Sequence, residues 1–217
     1  MIRFTNLPEI SVILPAFNRA YLLQKAIESV LAQTFRDWEL IIVDDGSSDN
    51  TFGVVNPYIE QHDAIRYLRH SNRKLNMTRN AGIQAAFGTW ITFLDSDDSY
   101  APLHLESRIE FMRKNPEIDL IAGGFSTEGD IFVRDCYDPA NMINIRDCIV
   151  GPTLFGKRDV FLTLDGFKPL AYAGETELWA RAEYLFRLRK IEDPKTYIYT
   201  RADDSITKNF PSDFQPG

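Results

Sequence analysis

The length, composition and charge of the chain describe an ordinary globular protein and exclude several classes. Its 217 residues are 44% hydrophobic and 12% aromatic, which suits one folded unit and is too apolar for a disordered segment. A net charge of −7 and a pI near 5.0 argue against nucleic acid as a main partner, because phosphate backbones attract clustered Lys and Arg. Cys136 and Cys148 lack metal-ligand spacing, so we expect free thiols in a reducing compartment.

No segment is typical of a targeting or membrane-spanning element. Met1–Glu9 has no apolar core of the kind found in signal peptides. The apolar runs elsewhere are far shorter than the roughly 20 residues that span a bilayer. We therefore expect a cytoplasmic protein, with peripheral association at the inner face of the membrane left open.

The first half of the chain alternates strand and helix patterns. Short apolar runs predict strands at Ile10–Leu14, Trp38–Val43, Ile65–Leu68 and Trp90–Leu94. Helices are predicted around Leu23–Leu31, where apolar residues recur at helical spacing, and over Met77–Ala86. Apolar strands separated by helices predict a mostly parallel sheet covered on both faces, which binds ligands beyond the carboxyl ends of its strands.

The second half is less regular. The patterns predict a helix over Leu103–Lys114, a strand at Leu120–Gly124, a long helix over Thr176–Lys190 and a strand at Thr196–Thr200. Residues 131–149 are weakly patterned and fit either edge strands or a loop. Because no linker separates the halves, we expect a single domain, 1–217, built from residues 1–100 and 101–217.

Two acidic clusters follow predicted strands and are the candidate functional residues. Asp95, Asp97 and Asp98 come directly after the fourth strand, and such close carboxylates usually require a divalent cation. A turn in which Asp97 or Asp98 caps the next helix would explain this cluster equally well. The second cluster, Asp44–Asp49, follows the second strand, where an Asp/Gly/Ser turn is the simpler interpretation. Both clusters belong at one rim of a parallel sheet, which favours a metal-assisted nucleotide diphosphate site.

Other phosphate-binding and hydrolytic motifs are absent from the sequence. There is no G-x-x-x-x-G-K-[ST] loop, and the first strand leads into Pro15–Arg19 rather than G-x-G-x-x-G. There is also no G-x-S-x-G nucleophile elbow. These absences argue against a P-loop kinase, a typical dinucleotide dehydrogenase and an α/β-hydrolase.

Two long segments resemble the family 2 glycosyltransferases. The segment SVILPAFNRAYLLQKAIESVLAQTFRDWELIIVDDGSSDNT is similar to the opening of these enzymes, and TRNAGIQAAFGTWITFLDSDD is similar to their central segment. The resemblance is dense over about Ile10–Pro102 and thinner through GKRDVFLTLDGF, ETELWARA and DDSIT. It implies a GT-A-like, Rossmann-like α/β fold with residues 1–100 binding the nucleotide sugar and residues 101–217 on the acceptor side.

The resemblance also implies roles for individual residues. Asp95 and Asp97 would be the D-x-D that holds Mg²⁺ or Mn²⁺ against the diphosphate. Asp44 or Asp45 would read the base. The other residues implied at the donor are Pro15, Ala16, Phe17, Arg79 and Ser96.

The sequence departs from the family pattern at two points. Aligning on Leu178-Trp179 puts Glu175 where the family has its general-base Asp, with Glu177 as the fallback. Helix N-terminal turns favour acidic residues in any case, which is the simpler explanation of both. Many relatives also carry a His shortly before Ser-Ile-Thr, and here that stretch has none. Arg201, Asp203 and Asp204 are candidate replacements for it.

The expected function is inverting transfer from a nucleotide-diphosphate sugar to a hydroxyl acceptor, in polysaccharide or glycoconjugate synthesis. UDP-sugar is the default donor, and a saccharide or lipid-linked molecule is the expected acceptor. The alternatives are a nucleotidyltransferase, which the Pro15–Arg19 segment disfavours, and a non-catalytic nucleotide-sugar-binding domain. We expect His62, His70 and His104 at the surface, since their spacing does not suit a metal.

Overall fold

The fold is described from a computed structural model that covers residues 7–138, 140–202, 205 and 208. The helices are α1 (Ala20–Leu31), α2 (Thr51–Gln61), α3 (Leu75–Ala85), α4 (His104–Lys114), α5 (Arg158–Thr163) and α6 (Gly174–Ala182). The first six strands are β1 (Ile10–Ala16), β2 (Trp38–Asp44), β3 (Ile65–Arg69), β4 (Trp90–Phe93), β5 (Ser99–Tyr100) and β6 (Leu120–Gly123). The remaining strands are β7 (Phe125–Thr127), β8 (Phe132–Arg134), β9 (Met142–Asn144), β10 (Phe155–Lys157), β11 (Leu188–Ile191) and β12 (Tyr197–Tyr199).

A central sheet organises the protein in the order β11-β6-β10-β4-β1-β2-β3. Its pairings are parallel except where β10 lies antiparallel between β4 and β6. Two small sheets accompany it, β5-β12-β7 and the hairpin β8-β9. The predicted mostly parallel, helix-flanked sheet is therefore confirmed, as is the less regular character of the second half.

Apolar residues cover both faces of the sheet, as a central parallel strand requires. On β1, Ile10, Val12 and Leu14 face a core shared with α1, α2 and α4. Ile13 faces a second core shared with α3, α5 and α6. The sheet is thus fixed from both sides, which gives the loops at its carboxyl rim a rigid base.

The predicted long helix over Thr176–Lys190 is wrong. The structure has the nine-residue helix α6, a turn after Ala182 and then strand β11. β11 pairs in parallel with β6 and forms one edge of the central sheet. From this position Leu188 and Ile191 pack against the two core clusters of the sheet, so tertiary structure overrides the local pattern here.

Helix α2 and strand β10 are among the elements that the sequence did not predict. Helix α2 contains Gly53 and Pro57, residues that disfavour a helix interior. Strand β10 is three residues long and centred on Gly156, where an added Cβ would lie 2.6 Å from a Leu120 methyl carbon. Its strand conformation depends on insertion between β4 and β6, which local sequence does not show.

The expectation that His104 lies at the surface is also wrong. It is 1% exposed and stacks on Tyr100 with 4.0 Å between ring centroids. Its Nδ1 lies 2.9 Å from the Thr196 hydroxyl. The neighbouring Arg108 is fully buried and donates to the carbonyl oxygens of Gly123, Gly124 and Pro194.

No helix among the described residues is long and apolar enough to cross a bilayer.

Burial of His104 predicts a pH-dependent stability. Desolvation, reinforced by the nearby Arg108 charge, holds the pKa of His104 well below its usual value. Below about pH 6.5 the unfolded chain therefore binds a proton at His104 that the folded chain does not bind. The free energy of unfolding then falls by up to about 1.4 kcal/mol for each pH unit. We expect His104→Phe, which keeps a ring beside Tyr100, to lose this component of the pH slope between pH 7.5 and 5.5. Urea unfolding of both proteins measures it, and equal slopes would contradict the prediction.

Candidate active site

The carboxyl ends of β1, β2 and β4 lie side by side at one rim of the sheet. In the parallel registers Ala16 pairs with Asp44, and Ile13 pairs with Phe93. The chain leaving each strand therefore enters the same space. The two acidic clusters predicted from the sequence share this rim.

Hydrogen bonds join the loops after β1 and β2. The Ser48 amide donates to Asn18 Oδ1 at 2.7 Å, and the Asn18 amide donates to Ser47 Oγ at 3.0 Å. The Ala20 amide, at the start of α1, donates to Asp49 Oδ2 at 2.9 Å. These contacts fix the two loops relative to each other before any ligand binds.

Asp44 and Asp45 differ in what they face. Asp44 is 1% exposed and accepts from the Ser47 amide at 2.8 Å and the Tyr67 hydroxyl at 2.5 Å. Asp45 borders the cavity at the rim, and its two oxygens accept the amides of Arg73 (2.6 Å) and Lys74 (2.9 Å). Among the described lining residues Asp44 does not appear. Asp44 therefore shapes the acidic turn, and Asp45 is the one exposed to a ligand.

Two arginines pair with two of the three aspartates in the turn after β4. Arg79, on α3, is 2% exposed and reaches both oxygens of Asp95 at 2.8 and 3.2 Å. Arg19, in the loop after β1, lies 3.4 Å from Asp97. Burial raises the pKa of Asp97, the Asp95 charge raises it further, and Arg19 opposes both. Arg79 and Arg19 thus oppose the negative charge of three aspartates at this turn.

The two acidic candidates for the base face different surroundings. Glu175 borders the cavity in a half-buried position. Burial raises the pKa of its carboxyl, the Arg79 charge lowers it, and Asp95 raises it again. Glu177 is held in ion pairs with Arg181 and Lys168, each at 2.7 Å, and does not appear among the described lining residues. Geometry therefore favours Glu175 over Glu177 as a residue able to meet a ligand.

One cavity of about 650 Å³ is bordered by Asp45, Asp95, Asp97 and Glu175. Its size is typical of small-molecule sites. Its first half is bordered by the loops after β1, β2 and β4 and by the start of α3. Its second half is largely apolar, and the apolar residues there include Val133, Ile143, Ile145, Ile149, Val150 and Leu170. Glu175 belongs to the N-terminal turn of α6, which borders the same cavity.

The carboxylates at the rim fit a divalent cation that takes further ligands from elsewhere. Among the described residues, no group of three or more His, Cys, Asp or Glu forms a closed metal shell. Mg²⁺ and similar hard ions are commonly held by one or two carboxylates, with phosphate and water oxygens completing the shell. Asp95 and Asp97 border the cavity and present such oxygens.

Most of the predicted donor residues meet at this cavity. Pro15, Ala16, Phe17, Asp45, Arg79, Asp95, Ser96 and Asp97 border it. Arg19, Asn76 and Lys74 border it too and were not assigned from the sequence. Arg19 directly follows the Pro15–Asn18 segment, and this position in the sequence could have indicated that it borders the site. Asp203 and Asp204, considered as replacements for a missing His, lie outside the described residues, and Arg201 donates to the Phe132 carbonyl at 3.2 Å.

A family comparison accounts for this arrangement. The sequence model of glycosyl transferase family 2 matches residues 11–145. The chain belongs to this family. A family 2 match of this length covers the loops after β1, β2 and β4, but it ends before α6, which carries Glu175.

Individual relatives are named as glycosyltransferases. GalNAc(5)-diNAcBac-PP-undecaprenol beta-1,3-glucosyltransferase of Campylobacter jejuni is 46% identical over 94 residues, which are 42% of this chain and 30% of the relative. The uncharacterized glycosyltransferase EpsJ of Bacillus subtilis is 29% identical over 187 residues, 86% of this chain and 50% of the relative. The chain thus spans at most half the length of either relative.

Solved structures confirm the GT-A-type fold. S. aureus TarS 1–349 in complex with UDP-GlcNAc superposes with a TM-score of 0.75 at 19% identity, over 93% of this chain and 61% of TarS 1–349. Mannosyltransferase PcManGT from Pyrobaculum calidifontis, in complex with GDP-Man and Mn²⁺, gives 0.73 at 17% identity, over 92% and 59%. At these identities the similarity concerns the fold.

The close approach of α6 to α3 predicts that substitution of Gly174 destabilises the protein. A Cβ added at Gly174 would lie 2.2 Å from the Asn76 side-chain amide, which itself donates to the carbonyls of Lys168 and Leu170. We expect Gly174→Ala to lower the unfolding free energy by about 1–3 kcal/mol through overpacking, although Ala is the better helix former. Urea unfolding measures this loss.

The control is a double-mutant cycle with Asn76→Ala, which removes the clashing atoms at the cost of their hydrogen bonds. The double variant is expected to be more stable than the sum of the two single losses predicts. Strict additivity would show that the contact between Gly174 and Asn76 does not set the position of α6.

Proposed function

We propose that this chain transfers a glycosyl group, with inversion, from a nucleoside diphosphate sugar to a hydroxyl of an acceptor. The observation that carries the proposal is the shared cavity, which brings the acidic rim and Glu175 together. The rim presents oxygen ligands for a cation-bridged diphosphate. Glu175 stands on a different element, where a proton acceptor for an incoming hydroxyl is needed.

The donor end of the site is assigned to the loops after β1 and β2. We assign the base and ribose to Pro15, Ala16 and Phe17, with Asp45 as the polar contact to the base, because all four border the cavity. Both oxygens of Asp45 already accept backbone amides, which fixes the direction of their remaining lone pairs. UDP is the expected nucleotide; TarS 1–349 was solved with UDP-GlcNAc, and PcManGT with GDP-Man.

Asp95 and Asp97 are the proposed ligands of Mg²⁺ or Mn²⁺, with Ser96 between them against the donor. The ion would supply positive charge to the departing diphosphate, a Lewis-acid role. Arg79 holds Asp95 in place and adds a fixed cation beside it. Support comes from the three aspartates clustered at this turn and from the Mn²⁺ present in the PcManGT complex.

Glu175 is the proposed general base. Its carboxylate takes the proton of the acceptor hydroxyl as that oxygen forms a bond to the anomeric carbon. The bond from that carbon to the diphosphate oxygen breaks on the opposite face, which inverts the configuration. The raised pKa of Glu175 suits this role, because a stronger base accepts the proton more readily.

The apolar second half of the cavity supports an acceptor that carries an apolar portion. A lipid-linked saccharide has this character, and the Campylobacter relative is named for such a substrate. Its use would place the reaction close to a membrane and within polysaccharide or glycoconjugate synthesis. The peripheral membrane association and the single-domain organisation both stay predictions.

The alternative is a domain that binds a nucleotide sugar without turning it over. Glu175 in place of the usual Asp is the observation in its favour, since one extra methylene displaces the carboxylate. Donor hydrolysis and transfer assays with Mn²⁺, across a panel of nucleotide sugars, separate the two functions. Binding without hydrolysis or transfer to any acceptor would leave the binding domain.

Asp97→Ala tests the metal assignment. We expect transfer to fall at least about 100-fold, because loss of one of two carboxylate ligands removes several kcal/mol of charge stabilisation. Titration of UDP with and without MnCl₂ by calorimetry is expected to lose its Mn²⁺ dependence. Glu110→Gln, on the exposed face of α4, is the control for loss of one negative charge. Full activity of Asp97→Ala would move the metal elsewhere.

Glu175→Gln tests the base. We expect kcat to fall about 10²–10⁴-fold with donor affinity changed little, because the amide cannot accept the proton. In the parent protein the acidic limb of the pH profile of kcat/KM is expected to have its midpoint above the ordinary glutamate value of about 4.3, since burial raises the pKa of this carboxyl.

Glu177→Gln is the matched control, two residues away on the same helix. It breaks the ion pairs to Lys168 and Arg181 and is expected to lower stability while kcat stays within a few-fold. The reverse ranking of the two variants would transfer the role of base to Glu177.

A further inference from the structure

The third aspartate of the turn, Asp98, is held differently from Asp95 and Asp97. It is 1% exposed, and both of its oxygens are occupied by donors from the C-terminal part of the chain. The Tyr197 hydroxyl donates to Oδ2 at 2.5 Å, and the Thr200 amide donates to Oδ1 at 2.6 Å. Asp98 is therefore committed to protein contacts.

The Tyr197 hydroxyl also contacts the first residue of the turn. It accepts a hydrogen bond from the Asp95 amide at 3.3 Å while it donates to Asp98. The Asp98 amide in turn donates to the Asp95 carbonyl at 3.0 Å. One phenol thus closes the four-residue turn from Asp95 to Asp98 and limits the directions in which the side chains between them point.

Tyr197 is itself fixed by a buried aromatic cluster. It is fully buried and packs edge-on against Tyr100, at 5.7 Å between centroids, and against His104, at 5.9 Å. β12, which carries it, pairs with both β5 and β7. The loop before β12 is held by Arg108 through the Pro194 carbonyl. The hydroxyl therefore has a defined position without any ligand.

We propose that Tyr197 is a positioning residue for donor binding, which acts through Asp98 to hold the Asp95–Asp98 turn in the arrangement that receives a cation and diphosphate. This inference rests on the proposed function and extends it to the C-terminal strand. Preorganised ligands lose less conformational entropy on binding, so loosening the turn costs affinity without removing a ligand. The sequence alone does not connect Tyr197 with residues about a hundred positions earlier.

Tyr197→Phe tests the proposal, since it keeps the ring in the cluster and removes only the hydroxyl. Tyr100→Phe is the matched control: Tyr100 is also buried, and its hydroxyl donates to the Phe93 carbonyl at 2.7 Å, outside the turn. Tyr197→Phe loses the bond to Asp98 and the bond from the Asp95 amide, and Tyr100→Phe loses the bond to the Phe93 carbonyl. Both variants are therefore expected to be less stable than the parent protein, by about 1–3 kcal/mol for each buried hydrogen bond. Stability alone therefore does not distinguish them.

The first measurement needs no ligand. Hydrogen–deuterium exchange is measured at the amides of Asp95 and Thr200. It is expected to be about tenfold faster in Tyr197→Phe than in Tyr100→Phe when the two variants are compared at matched stability. A tenfold change corresponds to a loss of roughly 1.4 kcal/mol in the free energy of local opening. Equal exchange in the two variants would overturn the proposal, whatever the function of the protein.

The second measurement is calorimetric titration with UDP and with GDP, each with MnCl₂. Affinity for the nucleotide that binds is expected to fall about tenfold in Tyr197→Phe and to stay within twofold in Tyr100→Phe; in transfer assays KM for the donor rises more than kcat falls. In an Asp98→Asn background the loss of nucleotide affinity caused by Tyr197→Phe is expected to be smaller than in the parent protein. A purely structural role predicts instead that the two losses of affinity add. Unchanged affinity in Tyr197→Phe also overturns the proposal. If the parent protein binds neither nucleotide, the proposed donor fails, and the exchange experiment still decides the role of Tyr197.

Discussion

Concentrated negative charge at one rim of a parallel sheet is the constraint on which the site depends. Five aspartates lie at or just beyond the carboxyl ends of β2 and β4, and each has different partners: Asp44, Asp45, Asp95, Asp97 and Asp98. Backbone amides and tyrosine hydroxyls hold Asp44, Asp45 and Asp98, while Arg79 and Arg19 pair with Asp95 and Asp97. Asp98 is committed to protein donors, whereas Asp95 and Asp97 border the cavity and are the proposed ligands of a cation.

The partners of these aspartates come from distant parts of the chain. Arg19 precedes α1, Arg79 lies on α3, and Tyr197 belongs to β12. The site is therefore stable only when both halves are folded around the central sheet, which links packing of the core to geometry at the rim. Buried polar groups that are satisfied in this way add specificity, because an alternative arrangement would leave charges unpaired.

The position of Glu175 illustrates the same dependence on packing. The N-terminal turn of α6 approaches Asn76 of α3 so closely that position 174 has room only for a glycine. Trp179 and Leu178, buried on the inner side of α6, fix its rotation. Glu175 then borders the cavity while Glu177, two residues later, points to Arg181 and Lys168. A helix with an acidic first turn thus presents one carboxylate to the cavity and keeps the other in ion pairs.

The sequence by itself determined the mostly parallel sheet, the positions of its first four strands along the chain and the meeting of two acidic turns at one rim, because apolar periodicity and strand-end position are local properties. The resemblance to family 2 glycosyltransferases, aligned on Leu178-Trp179, also pointed to Glu175. Tertiary structure alone decided that residues 188–191 form a strand, that His104 is buried and that Asp45 rather than Asp44 borders the cavity. It alone also brought Tyr197 to Asp98. These features depend on contacts between residues far apart in the chain, and their free energies appear in no local pattern.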